Sequence, residues 1–171
     1  MSLLASMADH RYGESLDMLA HSLQAAELAA AAGADDALVC AALLHDLGHV
    51  LGDAGTWGLP SHADVGATWL AEATPAEVHR PIALHVDAKR HMVAVDSTYA
   101  AELSEASTIT LRQQGGPFTA EESEAFLADP YADAAMALRR WDDQAKQPAR
   151  QTRDLSAFGP LVDAFVRAGS A

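Results

Sequence analysis

The run CAALLHDLGHVLG, residues 40–52, places the tightest constraint on how this chain can fold. Its apolar residues suit a helix buried in a core, yet His45, Asp46 and His49 interrupt it with groups that resist burial without partners. Those partners must come from elsewhere in the chain. Helices packed side by side can supply them, each aiming one residue at a common centre.

Composition agrees with helices. Half of the residues are hydrophobic, alanine is abundant, and β-branched and aromatic residues are sparse. The expected class is all-α, a single helical bundle. A length of 171 residues suits one domain, with a core over about residues 11–147 and a C-terminal helix over about 155–168. The formal net charge of −13 disfavours nucleic acid, and it makes any lysine inside a pocket informative. Cys40 is the only cysteine, which excludes an internal disulfide and fits a reducing compartment. There is no basic leader followed by an apolar segment, and no apolar run of bilayer length. The expectation is a cytoplasmic protein with no membrane partner.

Hydrophobic spacing divides the chain into helices. The first is expected over about Glu14 to Ala32, stopping at Gly33. The second begins at an Asp35 or Asp36 cap and runs to Gly52. Ser61 caps a third through about Ala73. Thr74, Pro75 and Glu77 form a capping-box pattern before a fourth, in which Pro81 marks a kink or a break. STYAAELSEASTITLRQQ reads as one further helix closed by Gly115 and Gly116, and Thr119 with Glu122 repeats the capping-box pattern. A helix from Pro130, the polar connector Gln147 to Asp154 and an amphipathic tail complete the chain. Trp57, Trp69 and Trp141 are expected in the core.

Ionisable residues fall one group per helix: His21, then His45 with Asp46, His62, His85 and Asp142. Imidazole nitrogens and carboxylate oxygens suit Fe, Mn or Zn, and a carboxylate can bridge two ions. The order His, His-Asp, His, His, Asp resembles the HD-domain superfamily of metal-dependent proteins. The stretches AALLHDLGH, HVDAKR, LSEAS, GGP and RRWDDQAKQ are similar to its mixed-valent diiron oxygenases, which cleave carbon–phosphorus bonds.

The resemblance implies a dinuclear site, with His21, His45, Asp46 and Asp142 around one ion and Asp46, His62 and His85 around the other. It also implies two Fe ions as Fe(II)/Fe(III), with O2 as co-substrate. Asp46 and His49 would act in catalysis, while His49, Lys89, Ser107 and Lys146 would hold a phosphonate. Glu14 would meet a substrate ammonium group. The relatives carry a tyrosine where this chain has Arg11, so Tyr12, one place along, is the candidate cap for the iron. His10, His79 and His91 have no counterpart and are expected at the surface or in packing roles. The expected reaction is oxidative cleavage of a 1-hydroxy-2-aminoalkylphosphonate, or an N-substituted analogue, to phosphate and a carboxylic acid such as glycine. The same ligands would also serve a metal-dependent phosphohydrolase acting on a phosphate ester or nucleotide.

Overall fold

The computed structural model describes residues 1–12 and 16–168, and its regular structure there is almost entirely helical. A short helix, α1 (Ser2–Ser6), leads into a two-residue antiparallel ladder of β1 (Arg11–Tyr12) and β2 (Leu16–Asp17). The helices α2 (Met18–Ala31), α3 (Asp36–Leu44), α4 (Ala54–Trp57), α5 (His62–Ala71) and α6 (Ala76–Val95) follow. Then come α7 (Ser97–Glu102), α8 (Glu105–Gln113), α9 (Ala120–Leu127), α10 (Ala132–Gln144) and α11 (Gly159–Ala168). None of the described helices is long and apolar enough to cross a membrane.

The 20-residue α6 is the central strut, contacted by α3, α5, α7, α9 and α10. Alanines Ala25, Ala26 and Ala29 of α2 and Ala41 and Ala42 of α3 are fully buried, and these small side chains let the two backbones approach closely. Leu43, Val78, Ile82 and Leu138 fill the space among α3, α6 and α10. Cys40 lies in this core, where burial pushes its thiol up to about 12, so it acts as an apolar filler.

The real boundaries differ from the sequence pattern in informative ways. The first helix begins at Met18 rather than Glu14, because Asp17 caps it by accepting from the Ala20 N–H at 2.7 Å and Leu16 is taken by β2. The second helix stops at Leu44, eight residues short of Gly52. The backbone leaves the helical path at Asp46 (φ −97°, ψ 6°) and makes a 3-10 turn over Leu47–His49. Thr74 makes no capping box; its hydroxyl donates to the Leu70 carbonyl, and Pro75 is the cap of α6, which runs on through Pro81. The segment from Ser97 forms two helices, since Leu103 and Ser104 are extended and Ser104 caps α8. The C-terminal helix starts at Gly159, after a 3-10 turn over Leu155–Phe158. Against expectation, Trp57 and Trp69 are exposed, on α4 and α5, and of the three indoles only Trp141 packs on the core. The capping box at Thr119 and Glu122 forms as the sequence predicts.

Gly48 fixes the 3-10 turn against α5. A Cβ there would lie 1.9 Å from the His62 carbonyl oxygen and 2.9 Å from the Gly66 nitrogen, both rigid backbone atoms. Gly48→Ala is therefore predicted to destabilise the protein by about 2–3 kcal/mol through overpacking. A melting temperature equal to that of the wild type would show that α5 can move aside at no cost.

Candidate metal centre and anion pocket

The break after Leu44 decides where the HD pair points. On a continuous helix, His45 and Asp46 would diverge by about 100°. With Asp46 off the helix, its carboxylate instead approaches His45 Nε2 at 3.5 Å and His21 Nε2 at 3.5 Å through Oδ2. Its other oxygen, Oδ1, lies 3.4 Å from His62 Nε2. His62 Nε2 in turn stands 3.2 Å from His85 Nε2, and His21 Nε2 stands 3.2 Å from His45 Nε2. Two groups of mutually close donor atoms result, His21–His45–Asp46 and Asp46–His62–His85, and they share one carboxylate. Asp142 joins the edge of the first, its Oδ1 3.3 Å from His21 Nε2.

Backbone carbonyls set the histidine tautomers. The Nδ1–H of His21 donates to Ala145 O (2.8 Å), that of His45 to Ala42 O (2.9 Å), and that of His85 to Ile82 O (2.7 Å). A carbonyl only accepts, so Nδ1 carries the proton and a neutral ring turns its Nε2 lone pair inward. Lone pairs then face lone pairs around a buried carboxylate whose Oδ2 has no hydrogen-bond donor. A cation relieves that arrangement, and spacings of 3.2–3.5 Å suit neighbouring ligands on a coordination sphere of about 2.1 Å. The residues therefore fit the metal pair that the sequence pattern suggests, with donors suited to Fe, Mn or Zn.

Without metal, the same groups bear charge unevenly. Burial holds the His45 imidazole below its ordinary range and His85 well below it, with neighbouring histidines adding to the effect at His85. His21 goes the other way: burial opposes its protonation, but Asp142 and Asp46 outweigh that and raise it. Below the ordinary pKa near 6.5, the unfolded chain protonates His45 and His85 while the native state does not, so stability falls as pH falls. The contribution of His21 has the opposite sign, being complete below 6.5 and lost as pH rises through its elevated native value. His49, held at about 4 chiefly by burial, adds to the depressed set, so three depressed histidines outweigh one raised and metal-free protein is predicted to lose stability as pH falls from 7 toward 5. Chelator-treated samples melted between pH 5 and 8.5 test this, and a melting temperature as high at pH 5.5 as at pH 7 would contradict it.

Beside the donors opens a cavity of about 510 Å³. Lys89, Ser107, Arg139 and Lys146 form part of its wall next to Asp46, His85 and Asp142, while Leu16, Met18 and Val86 supply apolar surface. Lys89, one turn after His85 on α6, is 2% exposed and donates to Thr110 Oγ1 at 2.9 Å. Burial, with Arg139 nearby, lowers its ammonium to about 8. Ser107 is buried and accepts from Lys146 Nζ at 3.2 Å. His49 reaches the cavity from the 3-10 turn rather than from the face of a shared helix. Its ring stacks on His62, with centroids 3.9 Å apart, and its Nε2 is 4.0 Å from Asp46 Oδ1.

Arg139 and Asp143 complete the site and were not predicted. Arg139 Nη1 holds Asp142 Oδ2 at 2.6 Å, which leaves Oδ1 turned toward His21. Its Nε donates to Asp143 Oδ2 at 2.9 Å, and its Nη2 pairs with Asp143 Oδ1. The signal lay in RRWDDQAKQ, where an arginine precedes two aspartates at the three- and four-residue spacings that meet on one helix face. Glu14 lies outside the described residues, and of Tyr12 only the backbone, in β1, is described. Arg11 lines the cavity; His10, His79 and His91 do not.

The sequence model of the HD domain matches residues 18–132, which hold five of the six proposed ligands, all but Asp142. This chain belongs to the HD-domain family. Two relatives extend the match across nearly the whole HD-domain chain. It is 40% identical to hydroxymethylphosphonate dioxygenase of Gimesia maris, over 95% of this chain and 85% of that protein. It is 34% identical to [1-hydroxy-2-(trimethylamino)ethyl]phosphonate dioxygenase (glycine-betaine-forming) of Leisingera caerulea, over 92% of this chain and 84% of that one. Both matches place the chain in the oxygenase branch of the HD domains that its motifs resemble.

Proposed function

We propose that this chain is an O2-dependent oxygenase that uses two iron ions to cleave the carbon–phosphorus bond of a 1-hydroxyalkylphosphonate, giving phosphate and a carboxylic acid. The reading takes the whole chain, residues 1–171, as one HD domain. The observation that carries it is a juxtaposition: two donor clusters sharing Asp46 adjoin a cavity wall that carries Lys89, Ser107, Arg139 and Lys146. Two relatives whose names specify hydroxyphosphonate dioxygenases support the substrate class.

In this reading His21, His45, Asp46 and Asp142 hold one ion, and Asp46, His62 and His85 the other. When bound, the iron pair supplies the electron transfer that O2 requires and a Lewis acid for the substrate hydroxyl. The chain's own residues supply orientation. Lys89, Lys146 and Ser107, with Arg139, bind phosphonate oxygens by charge-assisted hydrogen bonds and set the hydroxyl-bearing carbon beside Asp46. His49 adds a donor or acceptor at the head group, and Leu16, Met18 and Val86 keep water from the reacting carbon. Glu14 is the proposed partner of an ammonium group on a 2-amino substrate, and Tyr12 the proposed cap of the metal pair. The hydroxymethylphosphonate named for one relative has no such ammonium, so the amine requirement is the point to measure.

The test is O2 uptake and phosphate release by iron-loaded protein given hydroxymethylphosphonate, 2-amino-1-hydroxyethylphosphonate and its trimethylated analogue. Turnover of at least one, with one O2 consumed per phosphate, is expected. Phosphate release from a phosphate ester under anaerobic conditions with Mn, and no turnover of any phosphonate, would replace this reading with the phosphohydrolase.

A further inference from the structure

We propose that Asp143 is a positioning residue for the anion seat: from behind the cavity wall, its carboxylate gathers Ser107, Arg139 and Lys146 into one array of donors. The inference rests on the proposed function only in taking this wall to seat a phosphonate or phosphate head group. Asp143 itself is absent from the cavity lining, whereas all three of those residues are in it. Its Oδ1 accepts from Lys146 Nζ at 3.2 Å, from Ser107 Oγ at 3.5 Å and from Arg139 Nη2. Its Oδ2 accepts from Arg139 Nε at 2.9 Å and from the Tyr99 hydroxyl at 2.6 Å. Tyr99 is buried on α7, so the carboxylate is pinned from the side away from the cavity.

This arrangement answers a physical difficulty. Lys89, Arg139 and Lys146 present three cations to one small cavity, and without a nearby counter-charge they would repel one another and swing apart. Asp142 offsets part of that charge, but its Oδ1 faces His21 and its Oδ2 is taken by Arg139. Asp143 holds two of the three cations and the serine hydroxyl through a single carboxylate. It does not line the cavity, so its contribution is geometric: it fixes where the donor hydrogens point.

Geometry and charge make opposite predictions here, which gives a test by sign. Asp143 is negative, so if Coulomb attraction governed the seat, the near-isosteric Asp143→Asn change would tighten anion binding. If positioning governs, the amide keeps only one acceptor oxygen and turns an NH2 toward the donors on the other side, Arg139 Nε and Tyr99 or Arg139 Nη2 and Lys146, so the array loosens and binding weakens. Isothermal titration of the metal-loaded full-length protein with inorganic phosphate reads this directly, independent of turnover. The expected result is a Kd raised about tenfold, the scale of one or two lost hydrogen bonds, with metal content and circular dichroism unchanged. A Kd that is unchanged or lower overturns the proposal, as does weakening accompanied by loss of metal, since that would mark a merely structural role. Should Asp143→Asn not fold, Tyr99→Phe removes one donor to Asp143 without touching the cavity. It should raise Kd by about two- to threefold, and an unchanged Kd overturns the proposal. Wild-type protein that fails to bind phosphate removes the seat and the proposal with it. Failure of the O2-uptake assay alone overturns the oxygenase reading and leaves this test standing.

Discussion

Asp46→Asn is expected to leave a folded protein that loses most of its metal and at least about 10³-fold in turnover, since the bound ions supply several kcal/mol of transition-state stabilisation. The reasoning starts from what the carboxylate faces. Its two oxygens lie within 3.5 Å of Nε2 atoms on His21, His45 and His62, so one side chain belongs to both donor groups. Asparagine keeps the shape but not the charge, and its NH2 cannot coordinate. Replacing any single histidine removes one ligand from one group; replacing Asp46 weakens both at once. Metal content by elemental analysis and iron-dependent O2 uptake measure the two consequences separately. Two ions per chain retained in Asp46→Asn would show that the shared carboxylate is not what joins the groups.

Much of this juxtaposition was legible in the sequence, because an ionisable side chain buried in an apolar helix leaves a mark that composition cannot hide. His21, His45, His62 and His85 stand out as imidazoles in alanine- and leucine-rich segments, and the structure brings all four together. Lys89 entered through the family resemblance, since a lysine is ordinarily exposed, and the structure finds it buried one turn from His85. What periodicity could not show was the break after Leu44. The pattern CAALLHDLGHVLG stays helical in its hydrophobic spacing, whereas the chain turns at Asp46 and brings Gly48 against the backbone of α5, a contact that no local pattern shows. Tertiary contact overrode local preference there, and the override turned the carboxylate into the centre. The split between α7 and α8 was hidden in the same way, as the Ser104 cap can be told from an interior serine only once its hydroxyl is seen at the Ser107 N–H.

Arg139 was overlooked for a different reason. An arginine in an amphipathic helix usually lies at the surface with its charge in water, and RRW gives no hint of which arginine turns inward. The structure resolves the pair: Arg139 is buried, 5% exposed on its side chain, whereas Arg140 is exposed. Helix α10 thereby serves the two proposed centres from adjacent residues, Asp142 beside the His21 donor group and Asp143 behind the cavity wall, with one guanidinium tying both. A protein of net charge −13 thus keeps cations in its cavity by stationing Arg139 and Lys146 against Asp142 and Asp143, while Lys89 is held by the Thr110 hydroxyl.

Arg139→Met follows from that arrangement and should be among the most damaging single changes outside the ligands. The guanidinium is charged in every accessible state, its ionisation reinforced by Asp142 and Asp143 against the cost of burial. Methionine matches much of its length but leaves two carboxylates facing each other with their shared cation gone, and removing one partner of a buried pair costs about 3–5 kcal/mol. For a chain of this size the melting temperature should fall by roughly 10 °C. Metal affinity should fall as well, by about 10- to 100-fold, because Asp142 loses the group that aims its Oδ1 at His21. Arg139→Lys should not restore either property, since an ammonium cannot meet Asp142 and both oxygens of Asp143 from one position. Calorimetric melting of the metal-free forms separates the stability loss from the metal loss. If Arg139→Met melts within 2–3 °C of the wild type, far less than the roughly 10 °C expected, the buried network is not what holds α10 in place.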